Sequence, residues 1–372
     1  MNAFDHHPRT RLVYGNGTLS RVGELVRELR GQRVLLVTDA GIVKAGHAER
    51  AMDSLKAAGL QASLFDQVHE NPSTRDVDLC VTAARACEAD FIIGLGGGSS
   101  MDTAKGCNFI LTNGGRMHDY WGVGKATKPM LPMIAIPTTA GTGSECQSFA
   151  LISDEETHVK MACGDPKAAA KIALLDPELT VSQPPRVTAM TGIDAIAHAL
   201  ETAVTTRRNA LSGTYSRQAF RFLMKGFERV LEEPTDVEAR SSMLLGAAFA
   251  GIAIENSMLG AAHSCANPLS AEYNMVHGQA VGLMLPHVIR FNSVLPEVAA
   301  IYQSYFEGDL AAHVVNLLRV ARLHTNLSAL EVKEESLPSL SAMAAKQWTA
   351  QFNPRPITES DFAALYQSAM HD

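Results

Sequence analysis

The chain has 372 residues, 46% of them hydrophobic and 19% charged, with a formal net charge of −7. That length favours two domains and a sizeable core, and the interspersed acids and bases leave no basic stripe for nucleic acid. The N-terminal MNAFDHHPRTRLVYG lacks the apolar region of a signal peptide, and no run of about 18 apolar residues reads as a membrane span.

The first half alternates short apolar strands with helical stretches. RVLLVTD (33–39) reads as a strand ending in Asp39, AERAMDSLKAAGL (48–60) as a helix with a glycine stop, and ASLFDQV (62–68) as a second strand. A helix follows Pro72 and runs through Ala86. ADFIIGLGGG (89–98) is a strand entering a glycine turn, succeeded by a helix through Leu111, and PMIAIPTT (132–139) is another buried strand. KIALLDPEL (171–179) reads as a strand that closes the sheet. This rhythm predicts a mostly parallel sheet with helices on its faces. Gln183-Pro184-Pro185 is a break, and beyond it helical periodicity dominates, as in 212–231 and 241–258. The expected organisation is an α/β domain over 1–182 and an all-helical domain over 183–372.

Six cysteines, at 80, 87, 107, 146, 163 and 265, form no C-x-x-C pair. Their scatter fits free thiols in a reducing compartment, so a cytoplasmic location is expected. Cys265 is weighed as a metal ligand, and a small apolar filler is the preferred reading.

Two loops follow strand ends. In GLGGGSSMDTAKG, the strand runs into Gly96, Gly97 and Gly98, where a backbone without side chains can approach a pyrophosphate at a helix N-terminus. Ser99 or Ser100 is expected to cap that helix. Gly94 and Gly96 fit the dinucleotide fingerprint, but Ser99 takes the third glycine's place, so a structural turn is the alternative. The second loop, PTTAGTGSE (137–145), offers the hydroxyls of Thr138, Thr139 and Thr142, with a helix-capping turn as its alternative. Both loops lie at strand C-terminal ends, where ligands of open α/β sheets bind. Asp39 ends its strand as a candidate acceptor for ribose hydroxyls that would repel a 2′-phosphate, or else as a helix N-cap.

The strongest chemical signal lies in the second half. Asp194 and His198 in GIDAIAHALE are four residues apart, on one helical face. His263 and His277 are fourteen residues apart, enough for a helix and turn to bring them together. One carboxylate and three imidazoles suit iron, zinc or nickel.

Together these segments resemble the iron-dependent, or group III, alcohol dehydrogenase family. VYGNGTLSRVGEL, GLGGGSSMDTAKG, IPTTAGTGSE, GIDAIAHALE and the His263–His277 block occur in family order, and the resemblance runs from Leu12 to NPRPIT (353–358). It implies a dehydroquinate synthase-like architecture with an active-site cleft between two domains. It also implies NAD(H)-dependent interconversion of alcohols and aldehydes or ketones. Asp194, His198, His263 and His277 match the family's metal ligands, with Fe2+ expected and Zn2+ an alternative. Gly96, Gly97, Gly98 and Ser99 match its pyrophosphate loop and Asp39 its ribose acid. Asn71, Asp102, Thr138, Thr139, Thr142 and Lys160 match cofactor-lining positions. Phe149 and Ile254 are placed at the substrate. A homodimer or larger homo-oligomer is expected, with the strand near Arg11–Tyr14 offering an edge for pairing across a two-fold axis.

One departure bears on mechanism. Many members carry a histidine where this chain has Asn267, and Asn is no general base near neutral pH. Asn267 therefore joins the candidate catalytic set as a positioning group. Other residues read as ordinary: His287 as a packed or hydrogen-bonded histidine, Lys105 as solvated, and Glu201 as a surface acid in preference to a partner of a ligand histidine. Two rival functions remain for the site: an NAD-using lyase of the dehydroquinate-synthase type, and a non-catalytic nucleotide-binding regulator.

Overall fold

The computed structural model describes residues 2–157 and 159–371. The chain divides into two compact units. One takes His6–Thr139 and Gly143–Gln183; the other takes Pro184–Asp372 together with Met1–Asp5 and Ala140–Thr142.

Among the described residues the first unit is built on nine strands. They are β1 (Arg11–Tyr14), β2 (Arg33–Val37), β3 (Gln61–Phe65), β4 (Phe91–Gly96), β5 (Gly122–Val123), β6 (Met133–Pro137), β7 (Phe149–Ser153), β8 (Lys160–Gly164) and β9 (Ile172–Leu175). Six of them form a sheet in the order β1-β9-β6-β4-β2-β3, with every pairing parallel. Parallel strands covered on both faces need apolar side chains on both, and FIIGLG of β4 is buried along its whole length. The helices α1 (Val22–Glu28), α2 (Ala40–Lys44), α3 (His47–Ala57), α4 (Thr74–Ala86) and α5 (Gly98–Asn113) belong to this unit. Ser73 and Asp76 start α4 with a reciprocal capping box, a device worth about 1 kcal/mol.

The predicted strands and helices of this half appear with ends shifted by a few residues. Two features differ from expectation. The strand predicted in 171–179 lies inside the sheet, between β1 and β6, and β1 takes the edge. The sequence reading assigned nothing to the second sheet, β5-β8-β7, in which β7 and β8 are antiparallel. Its strands are short, and β5 has two residues, too few to show a period.

The second unit is helical: α6 (Pro185–Thr202), α7 (Ala210–Glu232), α8 (Val237–Ser257), α9 (Ala261–Tyr273), α10 (His277–Asn292), α11 (Pro296–Tyr305), α12 (Leu310–Val320), α13 (Leu337–Ala345) and α14 (Glu359–Ser368). Pro185 opens α6 at a position whose N–H would have no helical partner. The helix is buried almost continuously from Thr188 to Thr202 and packs on α7, α8 and α10. Amphipathic α7 buries Ala219, Phe220, Leu223, Phe227 and Val230 at helical spacing. By length and composition α8 is apolar enough to cross a membrane. Yet 67% of its apolar window is buried inside the unit, as in the core helix of a globular domain.

Candidate metal centre and cofactor loops

Helix α6 presents Asp194 and His198 one turn apart, with His198 Nε2 3.4 Å from Asp194 Oδ1. His263 occupies the first turn of α9 and places its Nε2 3.4 Å from the same oxygen. His277 is the first residue of α10, with Nε2 3.9 Å from it. Thus three imidazoles converge on one carboxylate oxygen. Gly278 permits that approach: a Cβ there would stand 2.2 Å from the Met190 carbonyl oxygen of α6. Only a residue without a side chain lets α10 begin so close to α6.

The ligand atoms of Asp194, His263 and His277 all lie within 4.8 Å of one another. The His198 and His263 rings stack at 4.8 Å, and the His263 and His277 rings are tilted at 5.3 Å. Asp194, His198 and His263 are buried, whereas the His277 side chain is 30% exposed. The cluster therefore opens to solvent on the His277 side.

Its electrostatics favour a cation. Burial pushes the Asp194 carboxyl up, but His198, His263 and His277 more than reverse this and hold it well below the usual carboxylate range. Burial lowers His198, keeping it neutral as a ligand must be. Burial also works against a charged His263, yet Glu201 and Asp194 raise it to about 9. Asp194 Oδ1 and His263 Nε2 are buried without a hydrogen-bond partner. Such orphans are rare in folded proteins, and these two face each other across a space rimmed by imidazole nitrogens. A divalent transition metal fits this donor set.

Backbone and side-chain contacts behind the cluster fix its rings. His198 Nδ1 lies 3.3 Å from the Gly141 carbonyl oxygen. Glu201, one turn beyond His198, accepts from His263 Nδ1 at 2.5 Å and from the Ala262 N–H at 2.7 Å. The expectation that Glu201 is a surface acid is wrong; it is 3% exposed. Its spacing from Asp194 and His198 placed it on their helical face, a signal available in the sequence. Cys265 is fully buried with its thiol pushed well up by that burial, so filler is its role.

Asn267 follows His263 by one turn of α9, and its amide donates to Gln347 Oε1 at 2.9 Å. Ile254 is buried on α8. His287 is hydrogen-bonded as expected, to Ser368 Oγ at 2.9 Å.

In the sheet unit, Gly96 ends β4 with φ +149°, and a Cβ there would stand 2.4 Å from Ser100 Oγ. Gly97 is the N-cap of α5 with no side-chain cap, and Gly98 and Ser99 form its first turn. Neither Ser99 nor Ser100 caps the helix, contrary to expectation. The first-turn N–H groups are consequently left for an anion. Asp39 does cap α2, its Oδ1 accepting from Gly41 N and Ile42 N, while Oδ2 sits 3.5 Å from Ser100 Oγ. The cap reading of Asp39 therefore holds for one oxygen, and the other accepts from Ser100 Oγ.

Thr138 is buried beyond β6 and Thr139 is half-buried, against Gly97. Asp102 on α5 is buried and accepts from Ser144 Oγ at 2.9 Å. Lys160 Nζ lies 3.5 Å from Asn71 Oδ1, and Phe149 starts β7 half-buried. Thr142 falls in the helical unit, with Gly141. Lys105, expected to be solvated, is fully buried. Its helix α5 is buried on nearly every side, which the polar Asp102 and Lys105 disguised in the sequence.

Comparison with known proteins bears on this arrangement. The model of the iron-containing alcohol dehydrogenase family matches residues 8–177, and that of the family's C-terminal part matches 188–370. The chain is 32% identical to the NAD-dependent methanol dehydrogenase of Bacillus methanolicus, over 96% of this chain and 97% of that protein. Its structure resembles the crystal structure of 1,3-propanediol oxidoreductase with a TM-score of 0.95 at 31% identity, covering 99% and 100% of the two chains. It also resembles the sulfoacetaldehyde reductase of Bifidobacterium kashiwanohense in complex with NAD+, with a TM-score of 0.90 at 27% identity, covering 99% of each.

Proposed function

This chain belongs to the iron-containing alcohol dehydrogenase family, with its dehydroquinate synthase-like fold, and from that premise we propose how its residues perform the reaction. The enzyme moves a hydride between an alcohol, or the corresponding aldehyde or ketone, and NAD(H). The observation that carries the reading is the convergence of His198, His263 and His277 on one oxygen of Asp194.

In this reading Asp194, His198, His263 and His277 hold the metal, Fe2+ by family. Such a cation, when bound, supplies Lewis acidity toward the substrate oxygen. The remaining work belongs to the chain. Glu201 and the Gly141 carbonyl orient His263 and His198 so that each Nε2 faces Asp194. The exposed side of His277 is the entrance for a small substrate. Asn267, tied to Gln347, positions and does not titrate; Phe149 and Ile254 complete the substrate set.

Cofactor binding falls to the strand ends: Asp39 for the ribose, Gly96, Gly97, Gly98 and Ser99 for the pyrophosphate, and Asn71, Asp102, Thr138, Thr139, Thr142 and Lys160 around them. The named relatives that act with NAD support this choice. The domain division at 1–182 and 183–372 is supported by the break between the two units after Gln183, although 140–142 falls with the helical unit. The scatter of six cysteines with no C-x-x-C pair supports a cytoplasmic enzyme. The open edge of β1 supports a homodimer formed by strand pairing.

Net NADH formation from NAD+ with a panel of short alcohols and diols tests the reaction class. A steady NADH increase matching aldehyde produced is expected. Substrate consumption with no net NADH would point to the lyase chemistry instead, and tight NADH binding without turnover of any substrate to a regulator.

A further inference from the structure

Lys105 is the most deeply buried cation of the sheet unit, and the reaction as described gives it no role. Its Nζ donates to the Ser144 carbonyl at 2.6 Å, to Ser144 Oγ at 2.8 Å and to the Phe149 carbonyl at 2.9 Å. An ammonium has three N–H donors, and here each has an acceptor. Ser144 Oγ passes its own hydrogen to Asp102 Oδ1 at 2.9 Å. Two buried carboxyls therefore flank one lysine, Asp102 and Glu145, and burial pushes the latter up to about 7 even with Lys105 drawing it down. Burying a lysine is costly unless it is fully paired. Three of its bonds go to one segment, Ser144–Phe149.

The position of that segment follows from strand order. Asp39 stands just past β2, the uncapped glycine turn at the end of β4, and the loop containing Ser144 past β6; in the sheet these strands are consecutive. A dinucleotide laid across them with its adenosine ribose at Asp39 and its pyrophosphate at Gly97 places its nicotinamide half past β6. Lys105 reaches from the second turn of the pyrophosphate helix to that third place.

We propose that Lys105 is a positioning residue that fixes the Ser144–Phe149 segment onto α5 and thereby shapes the nicotinamide half of the cofactor site. The proposal rests on the NAD(H) reading given above. It separates the two ends of the cofactor: the adenosine and pyrophosphate contacts come from β2, β4 and the first turn of α5, which do not depend on the lysine's three bonds.

The test uses the full-length, metal-loaded enzyme and two ligands, NADH and ADP-ribose, which lacks the nicotinamide. In Lys105→Met the dissociation constant for NADH should rise about tenfold or more, as expected when buried acceptors lose a charged donor. Binding of ADP-ribose and bound metal should stay at wild-type values. Should Lys105→Met not fold, Ser144→Ala, which keeps the lysine but breaks the link to Asp102, should show the same selectivity with a smaller loss. Equal weakening of both ligands would mean a general softening of the unit and would overturn the proposal, as would unchanged NADH binding. Failure of the wild type to bind either ligand would overturn the cofactor reading itself, and the clamp with it.

Discussion

Glu201 accepts a hydrogen bond from Nδ1 of His263 at 2.5 Å. A carboxylate can only accept here, so the bond fixes the His263 tautomer and turns Nε2 toward Asp194. The same carboxylate accepts from the Ala262 N–H, which anchors the first turn of α9. One buried acid on α6 thus sets both the ring and the helix that carries it.

Glu201→Gln retains the shape but offers one acceptor to two donors. Loss of such a partner typically weakens metal affinity by about 10–100-fold. Competition with a chelator should show that weakening, while the NADH dissociation constant is unchanged. Metal retention equal to wild type would show that Glu201 is structural only.

Asp39 keeps one oxygen beyond its cap. It should disfavour a 2′-phosphate by charge and by lost ribose hydrogen bonds. The enzyme is expected to prefer NAD(H), and Asp39→Gly to narrow or reverse the ratio of kcat/KM values for the two cofactors. A wild-type preference for NADP(H) would leave the cap as the residue's whole role.

Asn267→Ala should lower activity only modestly, because the amide bonded to Gln347 positions and does not transfer protons. A loss of about 10²–10⁴-fold, the range for removing a general acid or base, would contradict this. Asn267→His should add an inflection to the pH–rate profile near pH 6–7, roughly the free histidine range.

His287 lies beside Ser368 on the helical unit, and burial, with Arg290, pushes it down from 6.5 to about 4. Between those values the unfolded chain carries a proton that the folded chain refuses. Stability from this group is therefore complete above the upper value and is lost as pH falls toward the lower. Urea unfolding of wild type and His287→Asn should show the wild-type advantage shrinking through that window. Parallel pH curves would remove His287 from the account.

Much of this was legible because the sequence pattern and the packing agree. The apolar runs of β2, β4 and β6 are buried, and the Asp194–His198 spacing forms one helical face. What escaped had a physical cause. Lys105 and Glu201 look like surface residues because charge usually means solvent; each is buried since it satisfies every strong partner at hand, from elements distant in sequence. The Asn267–Gln347 pair joins residues 80 positions apart, beyond any local period. Gly97 caps α5 in place of either serine because a glycine there leaves the helix N-terminus open.

The metal centre proposed at Asp194, His198, His263 and His277 can be tested on the whole enzyme. The most direct test is alcohol-dependent NADH formation by enzyme stripped of metal, with removal verified by elemental analysis, and again after anaerobic addition of Fe2+. His263→Ala, which should neither hold metal nor turn over yet still bind NADH, serves as the control. Activity should disappear with the metal and return with Fe2+ in the wild type alone. Full activity in the verified metal-free protein would contradict it.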